Sequence, residues 1–473
     1  MANAISVLWI MADELRADAL SCYGTPHPAI QTPNIDRIAG EGVLFERAYT
    51  SSPVCVPARH AMLSGLSPLA SGVLNNEGYV PDGFKPPEMF PETLAAAGWE
   101  TRNYGKEHLP GGRSPWQHDD PAGTAMPQLK KIAEENGAEI VRSPGIGHVI
   151  SAVLPEGTEV GGEDITRGVA RALHEGSEAL VVRASYLQPH KPMVVAEPWA
   201  TQYDDVVFDV PRAAGEGANE FEREWGRLTR GEDLDDEQLQ LSFRRYHGSV
   251  AWLDHQVGEI LDALEASGRR GSTIVVFTTD HGASLGEHGI LAKHTYAPES
   301  HRVPLLVSWP GRLAAGMRRG DLVTSEDVAT TVLGLLGVDA PAGVTGRNVF
   351  ADDAPEQIFS AIGYGDPGSR AFPNRDAGAW SDGRGWPQRV CVRTERYRLD
   401  LTTRRGGEET ADDVFLADSL HDPFERRNLA DDPDYRRIRE RLECAARDAA
   451  AGIPVAEIDA EGFAQLRAQA SPV

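Results

Sequence analysis

The chain has 473 residues, 41% of them apolar and 25% charged, with a formal net charge of -25. This is long enough for a large core and two structural units, while the acidity excludes the basic face that nucleic-acid binding needs. No segment reaches the length of a membrane span, and the N-terminus has neither a basic start nor a cleavage site, so no membrane contact and a cytoplasmic location are expected.

Four cysteines (22, 55, 391 and 444) are widely scattered and lack any C-x-x-C spacing, which fits a reducing compartment. Only six residues are lysine: 85, 106, 130, 131, 191 and 293. Where arginine is the default cation, a retained lysine marks a need for a compact ammonium.

In chain order, residues 4–12 form a short continuous apolar run, the pattern of a central parallel strand buried on both faces. Residues 33–42 predict a helix, 43–50 extended chain, 57–66 a second helix, and 92–98 a helix with a glycine stop. Residues 110–160, rich in Gly, Pro and His, predict a long functional loop. Residues 164–175 are amphipathic and 179–185 apolar, a helix–strand unit. A long helical pattern covers 235–267, followed by the clearest strand of the chain at 272–279. Alternating strands and helices through about residue 345 indicate an α/β domain with a mostly parallel sheet. The stretch 351–385 is loose. Beyond it, 389–401 alternates like one antiparallel strand and 433–449 like a charged amphipathic helix. Residues 1–350 therefore read as an α/β domain and 351–473 as a small α+β unit.

Cys55 and Arg59 stand four residues apart in Cys55-Val56-Pro57-Ala58-Arg59. A helix starting near Pro57 places the thiol beside the positive helix end and lets the guanidinium turn back towards it, where a nucleophile or anion is stabilised. Asp13 follows the first strand, and Asp280 and His281 follow the strand at 272–279. In open α/β sheets, groups at the carboxyl ends of strands converge. Two carboxylates and a neutral imidazole suit Ca²⁺ or Mg²⁺, with Mn²⁺ compatible with the histidine.

Cys55 to Arg59, followed by Ala61-Met62-Leu63-Ser64-Gly65, resembles the C-x-P-x-R signature of the formylglycine-dependent sulfatases of the alkaline phosphatase superfamily. Ser64 and Leu66 stand where that family commonly has threonine and arginine. Thr32-Pro33-Asn34-Ile35-Asp36-Arg37, Gly105-Lys106-Glu107-His108-Leu109, Pro189-His190-Lys191-Pro192, Thr279-Asp280-His281-Gly282 and Asp422-Pro423-Phe424-Glu425 also resemble it, in the family's order. Met11-Ala12-Asp13-Glu14 is similar to the family's metal-binding Asp-Asp, with glutamate second.

The resemblance implies an alkaline-phosphatase-like fold: a large, mostly parallel mixed sheet flanked by helices, plus a C-terminal α+β unit with an antiparallel sheet. It implies hydrolysis of a small-molecule sulfate monoester, with Cys55 converted to formylglycine by a formylglycine-generating enzyme and one divalent cation, calcium ahead of Mn²⁺ or Mg²⁺. Asp13, Glu14, residue 55, Asp280 and His281 would hold the cation. The implied roles are an aldehyde hydrate as nucleophile at 55, steadied by Arg59 and contacted by His108. Lys106 and Lys293 would hold sulfate oxygens, and His190 with Lys293 would protonate the leaving oxygen. The alternatives are a phosphonate monoester or phosphodiester hydrolase with the same apparatus, and a non-catalytic binding protein with an unmodified Cys55. Lys191 reads either as an exposed lysine or as part of the site, Asn76 as a turn former or a substrate contact, and His288, His294 and His301 as outer histidines.

Overall fold

The computed structural model describes residues 5–76, 85–110, 113–121, 126–145, 147–210, 217–363, 387–405 and 408–454. β1 (Ser6–Asp13) is buried along its whole length. Leu8, Ile10 and Ala12 enter one apolar core and Val7, Trp9 and Met11 a second on the opposite face. A strand covered on both sides has no polar face to present, so its apolar run is continuous.

The strands that follow are β2 (Val43–Tyr49), β3 (Glu100–Gly105) and β4 (His118–Asp120). Next come β5 (Val141–Arg142), β6 (Val149–Leu154), β7 (Leu180–Pro189) and β8 (Val194–Ala196). β9 (Thr273–Thr279), β10 (Leu305–Ser308) and β11 (Met317–Thr324) complete the large domain. Eight of these form one sheet in the order β11-β2-β10-β9-β1-β7-β3-β4, and β5, β6 and β8 form a small second sheet. In the large sheet all pairing is parallel except around β10, which runs antiparallel to both β2 and β9. Helices Pro33–Gly40, Gly162–Glu175 and Asp236–Ala266 pack in the first core; Cys55–Ser64, Phe90–Ala96 and Asp327–Leu336 pack in the second. The long helix starts in a capping box, with the Asp235 carboxylate accepting from the Gln238 N–H at 2.7 Å and the Gln238 side chain accepting from Asp235 at 3.2 Å.

Two sequence expectations change. The stretch 110–160 holds β4, β5, β6 and the helix Met126–Glu135. That helix buries Leu129 and Ala133, one turn apart, while its strands are too short for periodicity to announce. The alternating stretch at 389–401 is two strands, β13 (Gln388–Thr394) and β14 (Tyr397–Arg405), joined by a tight turn. With β12 (Gln357–Ile362) and β15 (Glu408–Asp418) they make an antiparallel sheet in the order β12-β13-β14-β15, against which helix Arg436–Ala451 packs. Buried charges tie this sheet to the large domain: Arg398 pairs with Glu222 at 3.2 Å, and Arg393 donates to the Tyr296 carbonyl at 3.2 Å. Residues 364–385 of the loose stretch, and Glu77 and Gly78 beside Asn76, lie outside the described residues. No helix among the described residues is long and apolar enough to cross a membrane.

Candidate active site

Four neighbouring parallel strands, β9, β1, β7 and β3, end at the same edge of the sheet. Their registers set Ala12 beside Thr279, Met11 beside Ser185, Asp13 beside Pro189, and Gly105 beside Ser185. The chain leaving each strand therefore delivers Asp13 and Glu14, Asp280 and His281, His190, and Lys106 to one place, the carboxyl ends of a parallel sheet. Helix Cys55–Ser64 meets this edge with Cys55 as its first residue. Asn76 caps that end, its Oδ1 accepting the Val56 N–H at 2.8 Å, which is a helix-capping role.

Cys55 is 1% exposed. Its Sγ lies 2.9 Å from Lys293 Nζ, 3.2 Å from His281 Nε2 and 3.9 Å from Asp13 Oδ1. Burial opposes a thiolate here, but Lys106, Lys293 and His281 outweigh it and hold the thiol well below its ordinary range. Arg59, one turn along the helix, is fully buried. Its guanidinium hydrogen-bonds to two carboxylates: Nε donates to Asp280 Oδ2 at 2.8 Å and Nη2 to Asp13 Oδ2 at 3.1 Å. Nη1 donates to the Lys106 carbonyl and to Ser185 Oγ, both at 3.0 Å. Lys106 Nζ also pairs with Asp13.

Glu14 has a left-handed backbone with φ 60°, a conformation costing a non-glycine residue roughly 1–2 kcal/mol. It turns the carboxylate to three bases: Lys293 Nζ at 3.0 Å, His190 Nε2 at 3.2 Å and Lys191 Nζ at 3.6 Å. Burial would raise the Glu14 carboxyl; His190, Lys293 and Lys191 prevail and hold it well below the usual range. Lys191 is 2% exposed, so of its two readings the exposed one falls.

Among the described residues, two sets of donor atoms could hold a metal: Asp13, Cys55, Asp280 and His281, and Asp13, Glu14 and His190, each with ligand atoms within 4.8 Å of one another. The chemistry fits a hard divalent cation. Asp13, Glu14 and Asp280 offer carboxylate oxygens, and His281 keeps Nδ1 2.8 Å from the Gly282 carbonyl, leaving Nε2 for the site. Burial disfavours a proton on His281, yet Asp280 and Cys55 raise the ring to about 9; a cation at the same place displaces that proton.

Sequence reasoning missed the residues beneath the site. Arg183, fully buried in β7, lies 5.2 Å from the Trp9 ring and 5.0 Å from the Trp116 ring. It donates to Asn103 Oδ1 at 2.7 Å and to the Lys106 carbonyl at 3.5 Å. A lone arginine inside an apolar strand was the signal that could have marked it. Gly105, with φ 99°, is required: a Cβ there would stand 2.2 Å from the Ser185 carbonyl oxygen. His288 pairs with Glu299 at 3.4 Å and His301 contacts Ser360 Oγ at 2.8 Å, while neither His288, His294 nor His301 joins a donor set.

Glu107 is raised to about 7, chiefly by burial, with Arg183 pulling it down and Asp119 pushing it up. Because its folded value exceeds the ordinary 4.5, its contribution to stability is full below that value and is lost as pH rises through 7. Glu107→Gln is expected to flatten the fall in Tm between about pH 5 and 8; an unchanged slope in thermal melts would contradict the assignment.

A sheet edge that gathers a buried thiol, paired carboxylates and a cluster of bases suits a hydrolase of anionic esters. The sulfatase family model matches residues 6–338. An arylsulfatase of Clostridium perfringens is 27% identical over 380 residues, covering 73% of this chain and 77% of the relative. Among solved structures, BT4656 in complex with its substrate D-glucosamine-2-N,6-O-disulfate superposes with a TM-score of 0.74 at 20% identity, over 95% of this chain and 98% of that one. The phosphonate monoester hydrolase of Agrobacterium radiobacter does so with 0.76 at 20% identity, over 94% and 95%. The chain belongs to the sulfatase family, enzymes of the alkaline-phosphatase-like fold that hydrolyse sulfate esters.

Proposed function

We propose that this chain cleaves a sulfate monoester with Cys55 converted to formylglycine and with one divalent cation, calcium ahead of Mn²⁺ or Mg²⁺. Asp13, Glu14, residue 55, Asp280 and His281 would hold the cation. The observation that carries this reading is the placement of Cys55, first in its helix, with Lys293 Nζ 2.9 Å and His281 Nε2 3.2 Å from its sulfur. When present, formylglycine supplies an oxygen nucleophile and the cation a Lewis acid that draws charge from the sulfate.

The chain's own side chains do the rest. Arg59 fixes Asp13 and Asp280 in place through a buried fork. Lys106, with its ammonium already at this edge, binds a sulfate oxygen. Lys293 and His190, 3.3 Å apart, hold the proton delivered to the leaving oxygen, and His108 serves as the base beside position 55. Conversion of Cys55 requires a formylglycine-generating enzyme as partner. The four free cysteines support a reducing, cytoplasmic setting. With a division near residue 350, this chemistry belongs to the first unit, and selectivity to the 110–160 stretch together with the second unit.

The test is mass spectrometry of the Cys55 peptide together with rates on an aryl sulfate and an aryl phosphonate ester. An aldehyde at 55 and faster sulfate cleavage are expected. Faster phosphonate cleavage would replace the reading with a phosphonate monoester or phosphodiester hydrolase. An intact thiol with neither ester turned over would leave a binding protein.

A further inference from the structure

Glu14 keeps its left-handed backbone because its neighbours hold both ends of the kink. Its N–H donates to Asp280 Oδ1 at 3.3 Å, and the next N–H, of Leu15, donates to Thr279 Oγ1 at 3.2 Å. The other side depends on one hydroxyl. Tyr246 Oη donates to the Glu14 carbonyl at 2.7 Å and accepts the Arg16 N–H at 2.8 Å, bridging residues 14 and 16. Tyr246 is fully buried in the middle of helix Asp236–Ala266. Burial pushes its hydroxyl far above the ordinary range, so it stays a neutral donor. No sequence motif marked this residue, and it touches neither Cys55 nor any base of the site.

The bridge has a directional consequence. In β1 the side chains alternate strictly between the two cores, and an extended residue 14 would continue that alternation. The kink instead swings the Glu14 carboxylate to Lys293 and His190, where it also lies in one donor set with Asp13. We propose that Tyr246 is a positioning residue. Acting through the Glu14 backbone, its hydroxyl places the Glu14 carboxylate and so sets the divalent-cation affinity of the site. This inference rests on the reading of the site as a cation centre.

The test is calorimetric titration of Ca²⁺ and of Mn²⁺ into the chelator-treated full chain, comparing wild type with Tyr246→Phe and Tyr186→Phe. The control also loses a buried hydroxyl contact, to Thr166 at 2.7 Å, but away from the kink. Tyr246→Phe is expected to bind roughly tenfold or more weakly, as loss of a group that orients a ligand does, while Tyr186→Phe stays within about twofold. In a Glu14→Gln background, Tyr246→Phe is expected to add no further loss, because its effect passes through that carboxylate. Wild-type binding with Tyr246→Phe within twofold of it overturns the proposal alone. Equal losses in both tyrosine variants, or a full loss persisting in the Glu14→Gln background, overturn it too. Absence of cation binding by wild type overturns the cation reading and this inference together. Should Tyr246→Phe not fold, titration of Glu14→Gln decides: affinity equal to wild type shows that the carboxylate being placed has no part in binding.

Discussion

An alanine at position 55 is expected to lower kcat/KM on an aryl sulfate by on the order of 10⁴ or more, the scale seen when a nucleophile is removed. The fold should survive. Cys55 contributes one small buried side chain at the start of a helix whose packing rests on Met62 and Leu63 and whose end is capped by Asn76. A loss of about 1–2 kcal/mol is the ordinary scale for such a change. The charges around the sulfur stay paired without it, since Lys293 keeps Glu14 at 3.0 Å and His281 keeps Asp280 at 3.8 Å. Steady-state rates and a thermal melt separate the two effects. Turnover near the wild-type rate would rule out chemistry at this position, while collapse of the melt would make Cys55 a packing residue.

Removal of Asp280 should be costly in both respects. Its carboxylate accepts from Arg59 Nε at 2.8 Å, from its neighbour His281 N–H at 2.9 Å and from the Glu14 N–H at 3.3 Å. Alanine leaves the fully buried Arg59 with Asp13 as its remaining carboxylate, and breaking one side of a buried pair costs about 3–5 kcal/mol. Asp280→Asn retains an acceptor for those bonds while deleting the charge, so it should melt above Asp280→Ala. Both variants are expected to lose more than the roughly 10–100-fold in cation affinity typical of an orienting partner. Both should also behave, in turnover, like wild type treated with chelator. Calcium titration of the three proteins checks this, and wild-type affinity in Asp280→Ala would remove the residue from the cation site.

Much of this architecture could be read from the chain because its central strands obey simple rules. β1 and β9 are buried on both faces, so their apolar runs are unbroken and the polar residues that end them, Asp13 and Asp280, stand out. The long helix carries its own capping box at Asp235 and Gln238. What could not be read depends on contacts distant in sequence. The β13–β14 turn passes through Glu395 and Arg396, with none of the Gly, Asn or Pro that usually announces a hairpin. Lys191 is buried in a turn that brings its ammonium to Glu14, and Glu14 itself takes a conformation that no local preference favours. Sequence sets Arg59 against the thiol four residues away; the two carboxylates that its guanidinium also pairs with come from other strands and cannot be seen locally.

The parallel registers of β9, β1, β7 and β3 carry one more consequence. A slip of a single residue turns a strand's side chains to its opposite face, which would send Asp13 away from Asp280 while leaving the hydrophobic content of both cores nearly unchanged. Burial alone therefore tolerates mispaired forms that chemistry does not. Catalytic competence is a stricter report of correct strand order than compactness or helical content, and refolding yields measured by activity should fall below those measured by circular dichroism wherever a misregistered population persists.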